Sequence, residues 1–338
     1  MSDKTKIYST DGKVKHLSSE DDINVILGKL IGKKFIDYRK KWDAVNNMEI
    51  ITDFPMFLQI EPNYKCNYKC PMCTQGDPKL IEKFGYQGGL KTKDIKRIVD
   101  EAKLYNCPSI ALYGDNEPFL IKNIPEWFAM ARDAGFIDIM AISNGSVMTE
   151  SLAARILDSG LTRLRFSLDA VTPETYAKIR IGGVFTRTIR NIEMFLNARE
   201  KRGLKLPQVG VNFVKMSMNQ HELEPFLERW ENVVDFVVVQ DFMKPDIEGD
   251  YQELDITNRP SVENFRCTQP WQRLYIRGNG DVTVCCAQFN SYLVIGNIHK
   301  DSLYDLWNSE QSKEFRAMHK EGRYYENPIC LACSKDGG

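Results

Sequence analysis

Between residues 57 and 240 the chain alternates short apolar runs with longer amphipathic stretches. Phe57–Glu61 precedes a helical pattern at Thr92–Leu104, Ser109–Tyr113 precedes Asn123–Ala134, and Ile137–Ile142 precedes Thr149–Ser159. Arg163–Leu168 leads to Pro173–Ile179 and Thr186–Arg202, Gln208–Val214 leads to Asn219–Trp230, and Asp235–Gln240 ends the series. Strand-length runs alternating with helices predict βα units around a parallel sheet. Thr149 with Glu150, and Asn219 with Glu222, supply helix-start signals. Six such units are too few to close an eight-stranded barrel, so the expected fold is α/β, a partial (β/α)6 barrel with its chemistry at the C-terminal ends of the strands.

The flanks read differently. Residues 1–20 are polar, and apolar positions from Asp22 to Val45 suggest a helix weakened by Gly28 and Gly32; residues 1–50 form a helical extension without an assigned chemical role. Residues 51–242 form the barrel. Residues 243–266, charged and carrying Lys244-Pro245, Gly249-Asp250 and Arg259-Pro260, read as a linker. In 267–338 the alternation stops. Trp271–Arg277, the turn Gly278-Asn279-Gly280-Asp281 and Val282–Cys286 predict a β-hairpin, and a helix over roughly Ser302–His319 follows.

The 338 residues include 45 basic and 46 acidic side chains, a balance that gives no electrostatic reason to expect nucleic-acid binding. The N-terminus has no apolar signal core, and runs such as Phe236–Val239 are too short to span a bilayer, so a cytoplasmic location without membrane contact is expected. Nine cysteines without a secretion signal read as reduced thiols. Seven fall in two sets, Cys66/Cys70/Cys73 and Cys267/Cys285/Cys330/Cys333, which marks them as metal ligands. Cys107 lies at the wrong end of its strand for catalysis. Cys286 is either a small buried hydrophobe, a substitute ligand or a hydrogen-atom donor. His16, His221, His299 and His319 are scattered and support no hydrolytic triad.

The first set has the spacing C-x3-C-x2-C directly after the first barrel strand. Three thiolates on one loop hold three irons of a [4Fe–4S] cube and leave the fourth open to a ligand; the plainer alternative is a zinc site short of a ligand. The second set ends in C-x2-C and has the ligand count of a four-thiolate site, iron–sulfur or zinc.

At these residues the chain resembles the radical S-adenosylmethionine (SAM) superfamily. The resemblance implies that the open iron chelates SAM and that reductive cleavage yields a 5′-deoxyadenosyl radical, which abstracts hydrogen from substrate. It continues at Gly114-Asp115-Asn116-Glu117-Pro118, similar to the family's Gly-Gly-Glu-Pro with Asn116 in place of the second glycine, and implies that Glu117 accepts from the SAM amino group. Ser143-Asn144-Gly145 resembles the family's Thr-Asn-Gly. Ser167-Leu168-Asp169 resembles the segment near the SAM ribose and carboxylate, with Arg180 as a carboxylate partner. Met72 stands where the family usually carries an aromatic residue, its backbone within reach of adenine. The second cysteine set resembles the Twitch module, a shortened SPASM domain, and implies one auxiliary [4Fe–4S] cluster held by Cys267, Cys285, Cys330 and Cys333.

The nearest look is to dehydrogenases that oxidise a secondary alcohol on an amino-cyclitol or amino-sugar, as in butirosin biosynthesis. That resemblance implies a small sugar or cyclitol substrate, a second electron passed to the auxiliary cluster, and a flavodoxin- or ferredoxin-type donor. Base candidates at strand ends are Gln59, Glu61, Tyr113, Lys215, Gln240 and Asp241, with Lys215 and Asp241 preferred. Peptide modification, epimerisation using Cys286, and a zinc-stabilised binding module are the alternatives.

Overall fold

The computed structural model describes residues 6–9, 23–246, 248–256, 265–285 and 290–335. Cys286 and His16 lie outside the described residues. One sheet contains β1 (Lys6–Ser9), β2 (Phe57–Ile60), β3 (Ser109–Leu112), β4 (Asp138–Ser143), β5 (Arg163–Ser167), β6 (Gln208–Lys215), β7 (Phe236–Asp241), β8 (Arg273–Ile276), β9 (Asp281–Thr283) and β10 (Val294–Asn297). Their order is β1-β7-β6-β5-β4-β3-β2-β8-β9-β10. Every neighbouring pair from β1 to β8 is parallel, and β9 and β10 are antiparallel additions. The sheet is therefore open, and the six expected strands β2–β7 form a partial barrel.

Strand β5 shows how sequence alternation sets the layers. Leu164 and Phe166 are fully buried, and Phe166 meets Phe195 of the helix Phe185–Lys201 edge-on at 6.1 Å. Arg163, Arg165 and Ser167 alternate with them and are half-buried on the opposite face.

The N-terminal extension packs under the barrel. Where the sequence predicts only helix, its described residues include β1, which pairs in parallel with β7, and two helices, Ile23–Ile31 and Lys33–Asn46, separated at Gly32, whose φ of 91° lies in the left-handed region open to glycine. Tyr38 donates to Ser109 Oγ (3.3 Å), Asn24 Oδ1 accepts from Arg163 (2.9 Å), and Trp42 meets Phe57 edge-on. Ser109, Arg163 and Phe57 each begin a strand, so these helices close its N-terminal end.

Three elements depart from the sequence expectation. Asn219 does not cap a helix: its side chain accepts from Met216 N and donates to the Asp169 and Val214 carbonyls, and a 3₁₀ turn precedes Leu223–Trp230. The helix expected at Ser302–His319 is two, Leu303–Asn308 and Glu310–Lys320, because Ser309 leaves the helical conformation and caps the second. Most consequentially, β8 is not confined to a separate hairpin but extends the barrel sheet alongside β2.

The C-terminal region is fixed to the barrel flank by Trp307, fully buried, whose indole N–H donates to Thr52 O at 2.7 Å. Tyr304 stacks on Tyr105, which stacks on Phe54, with 4.8 Å between centroids in each pair. Among the described residues no helix is long and apolar enough to cross a membrane. Trp307→Ala should destabilise the protein by about 3–5 kcal/mol, read as a lower denaturant midpoint in anaerobic unfolding; a midpoint unchanged from wild type would show that this anchor is dispensable.

Candidate active site

The loop carrying Cys66, Cys70 and Cys73 leaves the C-terminal end of β2 and is held by the neighbouring strand ends. Glu117 N donates to Lys65 O (2.9 Å) and Lys69 N to Ile181 O (2.9 Å). Cys73 N closes a turn onto Cys70 O, and Tyr68 N points at Cys66 Sγ (3.4 Å). Thr74 Oγ1 joins Tyr64 to Asp115, and Gln75 donates to Asp115 O. Gly76 is required by close approach: a Cβ there would lie 2.2 Å from Cys70 O.

The motif residues largely build this frame. Glu117, 1% exposed, accepts from Phe119 N (3.0 Å), Ser143 Oγ (2.8 Å) and Asn144 N (2.6 Å), tying β3 to β4. Burial pushes its carboxyl up to about 7 despite these donors. Asn144 donates to Asn67 Oδ1 (3.0 Å) on the cysteine loop, with its amide 4.0 Å from Cys66 Sγ. Asn116 keeps a negative φ, so no glycine conformation is required there, and its Oδ1 accepts from Gly114 N (2.9 Å). Asp169, fully buried with φ of 62°, accepts from Val214 N (2.7 Å) and pairs with Arg180, which lies 3.7 Å from Cys70 Sγ.

These elements surround a cavity of about 610 Å³ at the C-terminal ends of the strands, within the range of about 300–1,000 Å³ usual for small-molecule sites. Cys66, Cys70 and Cys73 line it, as do Met72, Glu117, Ser143, Asn144, Ser167 and Arg180. Asp169 does not; the structure puts it behind Arg180 as that cation's partner. Of the base candidates, Gln59, Tyr113, Gln240 and Asp241 reach the wall, whereas Lys215 stands behind it, 2.6 Å from Asp241. A second cavity, of about 570 Å³, lies at the opposite end of the strands beside Cys107 and Tyr38 and receives none of these groups. Cys107 there is buried, its thiol donating to Ser109 O.

Buried Glu61 and half-buried Asp115 form a carboxyl pair beside the loop. Glu61 accepts from Tyr86 (2.7 Å), Tyr275 (3.1 Å) and Asp115 N (2.6 Å). Burial raises both carboxyls, and the charge of Glu61 raises Asp115 further, so the pair holds a proton that isolated carboxyls would release. Glu61 is thus a member of a buried network, not a wall residue.

Burial also pushes the cysteine thiols up, Cys66 to about 11 and Cys73 well above its usual range. Among the described residues no three His, Cys, Asp or Glu side chains gather closely enough for a single metal ion. The donor chemistry nevertheless fits a cluster: three thiols on one cavity wall, an N–H aimed at one sulfur and a guanidinium near another, groups that stabilise thiolate once a metal replaces the proton.

The second cysteine set also converges. Cys330 and Cys333 are one turn apart on the helix Pro328–Lys335, and Cys333 and Cys285 pack on the same apolar group as Phe84 and Ile329. His319, 1% exposed, bridges the others: its Nδ1 accepts from Cys267 N (3.3 Å), and its Nε2 lies 3.5 Å from Cys330 Sγ. Burial lowers its pKa to about 4, so the ring is neutral. Sequence reading missed this histidine because its partners lie 52 and 11 residues away, outside any local motif.

Residues 60–228 match the family model of the radical SAM superfamily, and residues 267–334 match that of the iron–sulfur cluster-binding domain SPASM. The chain belongs to the radical SAM superfamily. Its cofactors are accordingly SAM and [4Fe–4S] clusters, one that binds SAM and one auxiliary. A probable GTP 3′,8-cyclase of Methanocaldococcus jannaschii is 27% identical over 200 residues, 58% of this chain and 63% of the relative; the chain thus spans less than two thirds of that relative's length. Among solved structures, BtrN in complex with AdoMet and 2-DOIA superposes with a TM-score of 0.54 at 18% identity, covering 83% of this chain and 93% of BtrN. SuiB of Streptococcus suis bound to precursor peptide SuiA gives 0.60 at 17% identity, covering 90% of this chain and 76% of SuiB. At these identities the structures establish the shared fold.

Two outcomes test the geometry. Gly76→Ala should displace Cys70 and lower iron from about eight to about four atoms per chain, the content of one cube instead of two, as measured on anaerobically reconstituted protein; full iron would show that the loop tolerates the Cβ. Because the Glu61–Asp115 pair is raised when folded, its contribution to stability is full below the ordinary carboxyl range and is lost as pH rises through the raised value. Asp115→Asn should therefore match wild type near about pH 4 and exceed it at about pH 8 by on the order of 1 kcal/mol, read by thermal unfolding; a constant difference across pH would contradict the shared proton.

Proposed function

We propose that this radical SAM enzyme is an oxidoreductase that removes two electrons from a secondary alcohol on a small sugar- or cyclitol-like molecule. The observation that carries the reading is the cavity wall itself: β8, from the region matched to the cluster-binding domain, contributes Arg273 and Tyr275 to the cavity that the first cysteine loop faces. An electron acceptor built on that region would lie on the substrate's side of the barrel. Cys66, Cys70 and Cys73 would hold the SAM-binding cluster, and Cys267, Cys285, Cys330 and Cys333 the auxiliary one. Met72, Glu117, Ser143, Asn144, Ser167 and Arg180 would contact SAM, with Asp169 orienting Arg180.

When bound, SAM and its cluster supply the hydrogen-abstracting radical. This chain's residues do the rest. Wall groups Gln59, Tyr113, Gln240 and Asn212 orient hydroxyls. Asp241, held by Lys215 at 2.6 Å, takes the hydroxyl proton. Loss of one hydrogen atom from the carbinol carbon, of one proton to Asp241 and of one electron, for which an auxiliary cluster would be the acceptor, would balance an alcohol-to-carbonyl oxidation. A flavodoxin- or ferredoxin-type protein is the proposed electron donor, since SAM cleavage needs a low-potential electron.

A second reading, hydrogen abstraction without net oxidation, is favoured by the name of the curated relative, a GTP 3′,8-cyclase. Peptide modification is less supported, because the N-terminal helices are packed under the barrel instead of standing free as a peptide-binding unit.

Reduced wild type incubated with SAM should release 5′-deoxyadenosine, and Cys70→Ala should release none. Asp241→Asn should retain that release yet slow substrate oxidation by about 10²-fold or more, the loss typical of a missing general base; unchanged oxidation would exclude Asp241 as the base.

A further inference from the structure

Three arginines reach the cavity, and they are not equivalent. Arg180 sits at the level of the cysteine loop and is neutralised by Asp169. Arg165 lies on the same face of β5 as Ser167 and two residues earlier, about 7 Å deeper in the barrel. Arg273 aligns with Phe57, the first residue of β2, three residues before Ile60, where that strand ends; it too lies deep, on the opposite side of β2, β3 and β4 from Arg165.

Neither deep arginine has an ion-pair partner among the described residues. Arg165 makes no hydrogen bond there either. Arg273 reaches only neutral oxygens, Gln59 Oε1 (3.4 Å) and Gln272 Oε1 (3.0 Å), lies over the Phe57 ring at 4.8 Å, and leaves its Nε buried and unpartnered. The wall carboxyls do not offset these charges. Asp241 is paired with Lys215, Glu117 is taken up by three donors, and the Asp115 carboxyl accepts from Thr74 Oγ1 on the cysteine loop. Close by, Asn212 is paired in register with Ser167, and its Oδ1 is buried with no donor. Guanidinium groups that face a cavity without an ion-pair partner favour an anion there, and an orphaned amide oxygen requires a hydroxyl or N–H.

We infer that the substrate is an acid: a small polyhydroxylated molecule whose carboxylate or phosphate is held by Arg165 and Arg273 while a neighbouring hydroxyl donates to Asn212. This deepens the alcohol-oxidation reading and rests on it for the site, but it changes the expected substrate. An amino-cyclitol would bring an ammonium group towards two unpaired cations, a like-charge approach that the cavity opposes.

The test measures binding, so its failure is separable from failure of the proposed chemistry, which SAM cleavage reports. Anaerobically reconstituted, SAM-loaded enzyme is titrated with inorganic phosphate, malonate and glucosamine, against sodium chloride at matched ionic strength, with thermal midpoint as readout. Phosphate or malonate should raise the midpoint and glucosamine should not. Arg165→Gln and Arg273→Gln should each weaken the anion response by about tenfold or more, whereas Arg165→Lys should retain part of it. Iron content and the ligand-free midpoint identify a variant that has not folded, and the lysine variant then carries the comparison. A response to phosphate alone assigns a phosphorylated substrate, and one to malonate alone a carboxylic acid. No anion response, an equal response in the glutamine variants, or tighter binding of glucosamine overturns the inference.

Discussion

The parallel pairing of β8 with β2 is the constraint from which the arrangement of this molecule follows. Phe57 to Ile60 align with Arg273 to Ile276, so a strand encoded more than two hundred residues later becomes a wall of the barrel. Because β8 continues the sheet, Arg273 and Tyr275 face the space that the first cysteine loop faces. The antiparallel strand β9 then carries the chain outward to Cys285, and the closing helix Pro328–Lys335 brings Cys333 to the same apolar group. The cavity and the second cysteine set are joined by hydrogen-bonded backbone through β8 and β9.

Around that frame, polar groups at the strand ends serve one another before any ligand. Glu117 fastens β3 to β4, Asn144 fastens β4 to the cysteine loop, and Asp169 holds Arg180 near Cys70. Each satisfied group lowers the freedom of a loop that must present three sulfurs together, the kind of support that metal sites require. The groups left unsatisfied, Asn212 and the two deep arginines, are consequently the informative ones.

Much of this was legible in the sequence. The period of the apolar runs located all six strands of the partial barrel to within one or two residues, because each strand had to bury one face against a helix and announced it as an apolar run. The cysteine spacing pointed to the loop that the structure places on the cavity wall, since those three residues are close along the chain. What was hidden depended on distance along the chain. Nothing near Arg273 signals that it pairs beside Phe57, and Asp169 reads like its neighbour Ser167 although only the serine reaches the cavity. Lys215 and Asp241 were visible as charges at strand ends, but their pairing follows from the β6–β7 register.

His319 illustrates what such long-range placement achieves. With its Nδ1 occupied by the Cys267 amide, the single proton of the neutral ring belongs on Nε2, pointing at the Cys330 sulfur. In that tautomer the imidazole is a donor towards the sulfur and not a competitor for its place. Were Cys330 to act as a thiolate ligand, it would surrender part of its electron density to the ring, and the redox centre it held would be a slightly deeper well for an arriving electron.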